Sequence, residues 1–296
     1  MKMTDLPTDP RELDRKEMAK VSKLNSVSRL KNADDFIHKG DRGHAALFAG
    51  AKGMMGATVL ALAAALRSGC GKVTGFIDES FHSLIHSICP EVLIQSKEDI
   101  ALNINSYDAF GIGPGLGVSS NAKSALLTSM STSVPLILDA DALNILSVEK
   151  ELISQLPAGA ILTPHVGEWQ RLFGPNPNWK SRIEYSVETC IKLKINILIK
   201  GHYSVFVTSK GTFFINGTGN HGMAKGGSGD VLTGLICGLL AQGHDPESAG
   251  ILGMYLHGLA GDIAAEVIGQ DAMLPSDIIS HLHAAYKSLR NRGPNT

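Results

Sequence analysis

Short apolar runs that end in glycine or in an acidic turn alternate along this chain with helix-patterned stretches, and that alternation limits what it can fold into. AALFAGA (45–51) reads as a buried strand ending at glycine, MGATVLALAAALRSG (55–69) as a helix closed by Gly69, and KVTGFID (72–78) as the next strand. The rhythm continues through DAFGIGPGLG (108–117), the helix NAKSALLTSM, and VPLILDADALNIL, a strand, an acidic turn and a helix. GAILTPHVGEWQRLF repeats the pattern, and SRIEYSVETCIKLK followed by INILIKG (195–201) adds another helix and strand. SVFVTS and TFFING, separated by Lys210 and Gly211, read as a hairpin. A glycine-rich loop, a long helix over DPESAGILGMYLHGLAGDIAAEVIG and a last helix over residues 275–289 close the chain. Strands repeatedly separated by helices build a three-layer α/β fold with a mostly parallel central sheet flanked by helices. In such sheets ligands bind beyond the carboxyl ends of the strands, where the glycine turns, Asp139, Asp141 and His165 all fall.

Residues 1–40 are charged and weakly periodic, and read as an N-terminal extension with a short helix near residues 10–24; residues 41–296 read as a single domain. A formal net charge of −1 gives no basic field for nucleic acid, and 5% aromatics argue against base-stacking surfaces. Cys70, Cys89, Cys190 and Cys237 are dispersed without a CxxC pair, as reduced intracellular thiols are. No uninterrupted apolar stretch reaches membrane-span length, and the polar N-terminus lacks the apolar centre of a secretory signal. The location expected from these features is the cytoplasm.

MAKGGSGDVLTG (223–234) carries the sharpest chemical signal. Three glycines, Gly226, Gly227 and Gly229, stand where a helix should begin, and Asp230 falls on its first turn. Glycine is a poor helix former, so the position needs unusual dihedrals or room for a close approach. Free amides at a helix start attract anions. An aspartate there would repel a bound phosphate, unless it takes the proton of a hydroxyl that attacks a phosphoryl group. The plainer alternative is an N-cap aspartate after a flexible turn. The polar, glycine-rich NGTGNHGMAKGGSGD leading into an apolar helix favours the catalytic reading.

Other stretches are less specific. Lys200 and Gly201, at the end of ILIKG, could meet a nucleotide or simply form a solvated turn. GIGPGLG (111–117) has glycines at GxGxG spacing and suits close backbone approach, but it is a weak dinucleotide signature. In LTPHVGE (162–168), His165 either caps the next helix or faces a ligand, with Glu168 nearby. Asp139 and Asp141 could hold magnesium through water, bind hydroxyls or cap a helix. His82, His86 and Cys89 have a spacing open to zinc but read better as an exposed helix face. Walker A, GxSxG and HExxH motifs are absent.

GAKGMMGATVLALAAALRSGCGKVT, GIGPGLG, LILDADALNIL, LTPHVGE, LIKGHYS and NGTGNHGMAKGGSGDVLTG occur together in this order. Jointly they resemble the ADP-dependent (S)-NAD(P)H-hydrate dehydratase family of the ribokinase-like superfamily, over about residues 38–290. The resemblance implies repair of hydrated NADH and NADPH. ADP, with ATP as the donor in eukaryotic relatives, phosphorylates the ring hydroxyl, and phosphate then leaves. By the same resemblance Asp230 is the base, and Ala57, Gly115, Gly117 and His165, with Asp230, face the hydrated dinucleotide. Lys200, Gly201, His202, Tyr203 and Ser204, together with Asn220, His221, Gly222, Met223, Ala224 and Lys225, match the segments that hold the adenine nucleotide. Gly226, Gly227, Ser228 and Gly229 complete that set and cradle the transferring phosphate. Magnesium is expected with no assignable ligands, as is a homo-oligomer, a tetramer by family habit. Some members are fused to an epimerase domain; the residues before the first strand are too few to hold one, so a separate epimerase is the expected companion. Many members carry proline where Gly217 and Val166 stand, departures read as loosening two turns. The rival readings are a small-molecule kinase, such as a vitamin or sugar kinase, with the same base, and a nucleotide-binding module without catalysis.

Overall fold

The computed structural model describes residues 2–31, 36, 38–99 and 104–291, so a few residues of the expected N-terminal extension and residues 292–296 lie outside it. Nine strands form one sheet among the described residues. They are β1 (His44–Phe48), β2 (Lys72–Phe76), β3 (Leu93–Gln95), β4 (Ala109–Ile112), β5 (Leu136–Leu138), β6 (Ile161–Leu162), β7 (Asn196–Ile199), β8 (Val205–Val207) and β9 (Phe213–Ile215). Their order is β3-β2-β1-β4-β5-β6-β7-β8-β9. The pairings from β3 to β7 are parallel, and the two at the far end, β7–β8 and β8–β9, are antiparallel. The helices are α1 (Arg15–Val27), α2 (Met55–Arg67), α3 (His82–Ile88), α4 (Ser120–Met130), α5 (Ala140–Val148), α6 (Val166–Phe173), α7 (Trp179–Leu193), α8 (Ser228–Ala241), α9 (Pro246–Ile268) and α10 (Pro275–Arg290).

Successive side chains of a strand point to opposite faces, so each strand feeds two cores. Leu47, Ile137, Ile161 and Leu198 pack with α2, α8, α9 and α10, while Phe48, Ile112, Leu138 and Ile199 pack with α4 to α7. This is the three-layer arrangement expected. The strands are shorter than their apolar runs: β4 stops at Ile112, and the glycine turn behind it becomes a loop at the sheet edge.

One expectation is corrected. The N-terminal helix starts at Arg15, after a 3-10 turn at Pro10–Glu12, because the Asp14 carboxylate caps the Lys16 and Glu17 amides. Among the described residues one helix, α9, is long and apolar enough by composition to cross a membrane, although His257, Asp262 and Glu266 interrupt it. However, 56% of its apolar window is buried inside the fold, between α8 and α10, as befits a core helix that is apolar on most sides.

Candidate active site

The carboxyl ends of β5, β6 and β7 meet the start of α8. Asp139 follows β5, His165 follows β6, and Lys200 follows β7, bridged to His165 in parallel register. Beyond β9, residues 216–227 run along the same edge and deliver Asp230 on the first turn of α8. A cavity of about 710 Å³ opens between them, and Asp139, His165, Lys200 and Asp230 all line it.

The charged groups are organised unequally. Asp139 is 1% exposed, and both of its oxygens are engaged. Lys200 Nζ donates to Oδ1 at 2.6 Å and Thr233 Oγ1 donates to Oδ2 at 2.7 Å. Lys200 also lies 3.8 Å from Glu168 Oε2. Ala140, next to Asp139 on the cavity wall, has φ 46°, a left-handed conformation that a non-glycine residue adopts at some energetic cost. Asp230 has no such partners. Burial, and then the Asp139 carboxylate, push its pKa up to about 6, while the Lys200 ammonium pulls it down and Asp141 and Glu168 push it further up. A carboxyl tuned upward in a cleft is the environment of a general base working near neutral pH.

The two helix starts beside it are built differently. At α6, His165 Nδ1 accepts the Gly167 and Glu168 amides at 3.0 and 3.2 Å, and Glu168 Oε2 accepts the His165 amide at 2.8 Å. That is a reciprocal cap. At α8 the N-cap is Gly227, with φ +103° and no side chain to offer. A Cβ on Gly229 would stand 3.2 Å from Lys200 Nζ, so glycine keeps this corner open. Ser228 Oγ and His257 Nε2 are buried without a hydrogen-bond partner, and both residues line the cavity. Burial pushes the His257 pKa down to about 4, so the imidazole is neutral at ordinary pH. Open amides, a free hydroxyl and a neighbouring lysine fit a phosphate chain. For a metal the fit is poorer. Among the described residues no cluster of three His, Cys, Asp or Glu could hold an ion. Asp141, the other candidate, spends its oxygens on the Gly117 amide at 2.7 Å and on Asn144 at 3.1 Å.

The remaining sequence candidates divide. Gly201, His202, Ser204, Asn220, His221, Met223, Ala224 and Lys225 line the cavity with Gly226 to Asp230. Asn220 uses its side chain internally, capping the turn His221–Met223 and bonding Gly261 and Asp262, so only its backbone faces a ligand. Tyr203 is buried and Gly222 packs against Gln270; neither lines the cavity. Ala57, Gly115 and Gly117 also lie outside its lining. They form a neighbouring group, with Gly115 (φ +57°) packed on Ala57 and Gly117 tied to Asp141. His82 bonds the Ile77 carbonyl and Cys89 is buried, without a shared metal geometry. Sequence reasoning missed Thr233 and His257. Each is a polar residue inside an apolar helix, Thr233 one turn after Asp230, and that mismatch was the available signal.

A mostly parallel sheet with an uncapped helix start and a raised aspartate beside a lysine is the arrangement of the ribokinase-like class of nucleotide-dependent enzymes. The profile of a family described as NAD(P)H-hydrate dehydratase matches residues 45–284. The ADP-dependent (S)-NAD(P)H-hydrate dehydratase of Bacillus subtilis is 34% identical over 87% of this chain and 94% of its own. A bifunctional NAD(P)H-hydrate repair enzyme of Thermofilum pendens is 36% identical over 86% of this chain, which spans about half (51%) of that relative's length. Among solved structures, the Bacillus subtilis ADP/ATP-dependent NAD(P)H-hydrate dehydratase, co-crystallised with ATP and Mg2+, superposes with a TM-score of 0.79 at 31% identity, covering 90% of this chain and 97% of that one. A ribokinase-like superfamily protein of Enterococcus faecalis does so with a TM-score of 0.81 at 30% identity, covering 90% and 94%. The chain belongs to the NAD(P)H-hydrate dehydratase family.

Proposed function

We propose that this protein dehydrates the S form of hydrated NADH and NADPH, using ADP as phosphate donor, with ATP as the alternative, and releasing AMP and phosphate. The observation that carries the reading is the pairing of a tuned, unpartnered Asp230 with an uncapped helix start. Asp230 takes the proton of the ring hydroxyl as the hydroxyl oxygen forms its bond to the donor's terminal phosphorus and AMP leaves. Amides of residues 226–229 and Lys200 offset the charge that builds on the transferring group. The ring nitrogen's lone pair then expels phosphate, and loss of the neighbouring C–H proton restores the dihydropyridine.

Residues 200–202, 204, 220, 221 and 223–229 are assigned to the nucleotide, and Ala57, Gly115, Gly117 and His165 to the hydrated dinucleotide. Magnesium is assigned to the nucleotide's phosphates rather than to a protein cage, because the described residues offer none. The family resemblance further supports a cytoplasmic homotetramer working in step with an epimerase activity.

The test mixes the protein with S-form NADHX, magnesium and ADP, follows the near-ultraviolet absorbance of reduced nicotinamide, and assays AMP. A rise dependent on ADP, with AMP released in step, is expected. AMP with a stable phosphorylated product and no rise would convert the assignment to a kinase. Nucleotide binding without any turnover would leave a binding module.

A further inference from the structure

The N-terminal residues lie outside the family-matched region, yet α1 packs against the outer side of a cleft wall. Residues 216–220 form a strap along one wall of the cavity. On its inner side it is tied to α9: Thr218 Oγ1 lies 3.1 Å from the Tyr255 carbonyl, and Asn216 Nδ2 donates to the Met254 carbonyl at 3.1 Å. On its outer side it is tied to α1. Ser22 Oγ accepts the Gly217 amide at 3.0 Å and lies 2.9 Å from the Ile215 carbonyl. A Cβ at Gly217 would stand 2.3 Å from the Ala19 nitrogen, so this glycine is a close approach between strap and helix, not a loosened turn.

The Gly219 peptide is held from both ends. Its N–H donates to Asp262 Oδ2 at 2.9 Å, and its carbonyl accepts from the Arg15 guanidinium, which also lies 3.5 Å from Asp262 Oδ1. Asp262 Oδ1 accepts from Asn220 Nδ2 at 3.1 Å, so one carboxylate orients two consecutive strap residues. The Arg15 and Asp262 side chains are 46% and 28% exposed. An ion pair that wet adds little to global stability, so its consequence is local geometry.

We propose that Arg15 is a positioning residue: through the Gly219 carbonyl and Asp262 it holds the strap in the conformation that receives a nucleoside diphosphate. The proposal rests on the nucleotide reading of the cleft. Three single variants of the full chain test it: Arg15→Ala, Arg15→Lys, and Arg29→Ala. The last releases the same arm at its far end, where Arg29 pairs with Glu247 at 2.9 Å. Hydrogen exchange is read without ligand, ADP affinity by calorimetry, and turnover as separate kcat and KM.

Arg15→Ala is expected to speed exchange of the amides of residues 217–220, to weaken ADP binding by about 5-fold, and to raise KM for ADP with kcat unchanged. Arg15→Lys restores part of the affinity, and Arg29→Ala leaves it unchanged. Exchange and affinity at wild-type level in a folded Arg15→Ala protein would overturn the proposal, as would an equal loss in Arg29→Ala, which would make the arm a general cover. If the unsubstituted protein fails to bind ADP, the nucleotide reading falls and the proposal with it.

Discussion

The starts of α6 and α8 stand at the same edge of the sheet and carry the same electrostatic problem, a row of amides without intrahelical partners. At α6 the problem is solved internally, by the His165 ring and the Glu168 carboxylate. At α8 it is left open: a glycine N-cap in a left-handed conformation, a serine hydroxyl without a partner, and an aspartate whose proton affinity is raised. The two aspartates repeat the contrast. Asp139 is locked by Lys200 and Thr233, while Asp230, which feels its charge, is kept free. A satisfied terminus contributes stability, and an unsatisfied one is available to a ligand at some expense of stability.

The largest effect should follow from breaking the open side. Asp230→Asn retains size and polarity but cannot accept the hydroxyl proton, so kcat should fall by about 100- to 10,000-fold with the fold intact. Stopped-flow turnover alongside circular dichroism checks this, and an unaltered kcat would remove Asp230 as the base. Next comes the closed side. Lys200→Met leaves the buried Asp139 carboxylate with only the Thr233 hydroxyl, and should cost about 3 kcal/mol in urea unfolding. Adding Asp139→Asn to that variant should recover most of the loss, because it removes the unpaired charge. If the double variant is no more stable than the single one, the pair is not the cause.

Much of this contrast was legible in the chain. Three glycines ahead of Asp230 marked a helix start with a purpose, and the spacing of His165 and Glu168 is a visible capping signature. The alternation of apolar runs and helices yielded the sheet, because its central strands are buried on both faces. What stayed hidden depended on contacts remote in sequence. Thr233 reaches Asp139 across 94 positions, and Arg15 reaches Gly219 across 204. Arg15 does not differ locally from a solvated arginine, and Thr233 shows only as a polar residue in an apolar helix, with nothing local to name its partner. Strand β3, three residues on the sheet edge and partly exposed, sits in an apolar run of only three residues, 92–94, shorter than those that identified its neighbours.

The open terminus should also be measurable as a stability deficit. The folded state holds the Asp230 proton more tightly than an unfolded chain, whose aspartate titrates near 3.8. Stability from this group is therefore present below about pH 4 and lost as pH rises through about 6. Asp230→Asn, which mimics the protonated form, should be more stable than wild type above that range by about 2 kcal/mol. The difference should vanish towards pH of about 4. Thermal unfolding across this interval reads it directly, and a constant difference would mean that the substitution acts through packing instead.

His165 supplies the smallest and most discriminating case, because it belongs to both descriptions. Its ring caps α6 and its position lines the cavity. His165→Ala removes the acceptor of two amides and should cost about 1 kcal/mol. His165→Asn, whose side-chain oxygen can take up the same cap, should recover most of that stability. If His165 serves only the helix, turnover follows stability and returns in the asparagine variant. If it also faces the hydrated dinucleotide, the asparagine variant is stable yet has a raised KM for that substrate, with KM for ADP unmoved. The second pattern would mean that even the closed terminus is shared with a ligand, and that the division between the two helix starts is one of degree: α6 satisfies its own amides first, and α8 leaves them open.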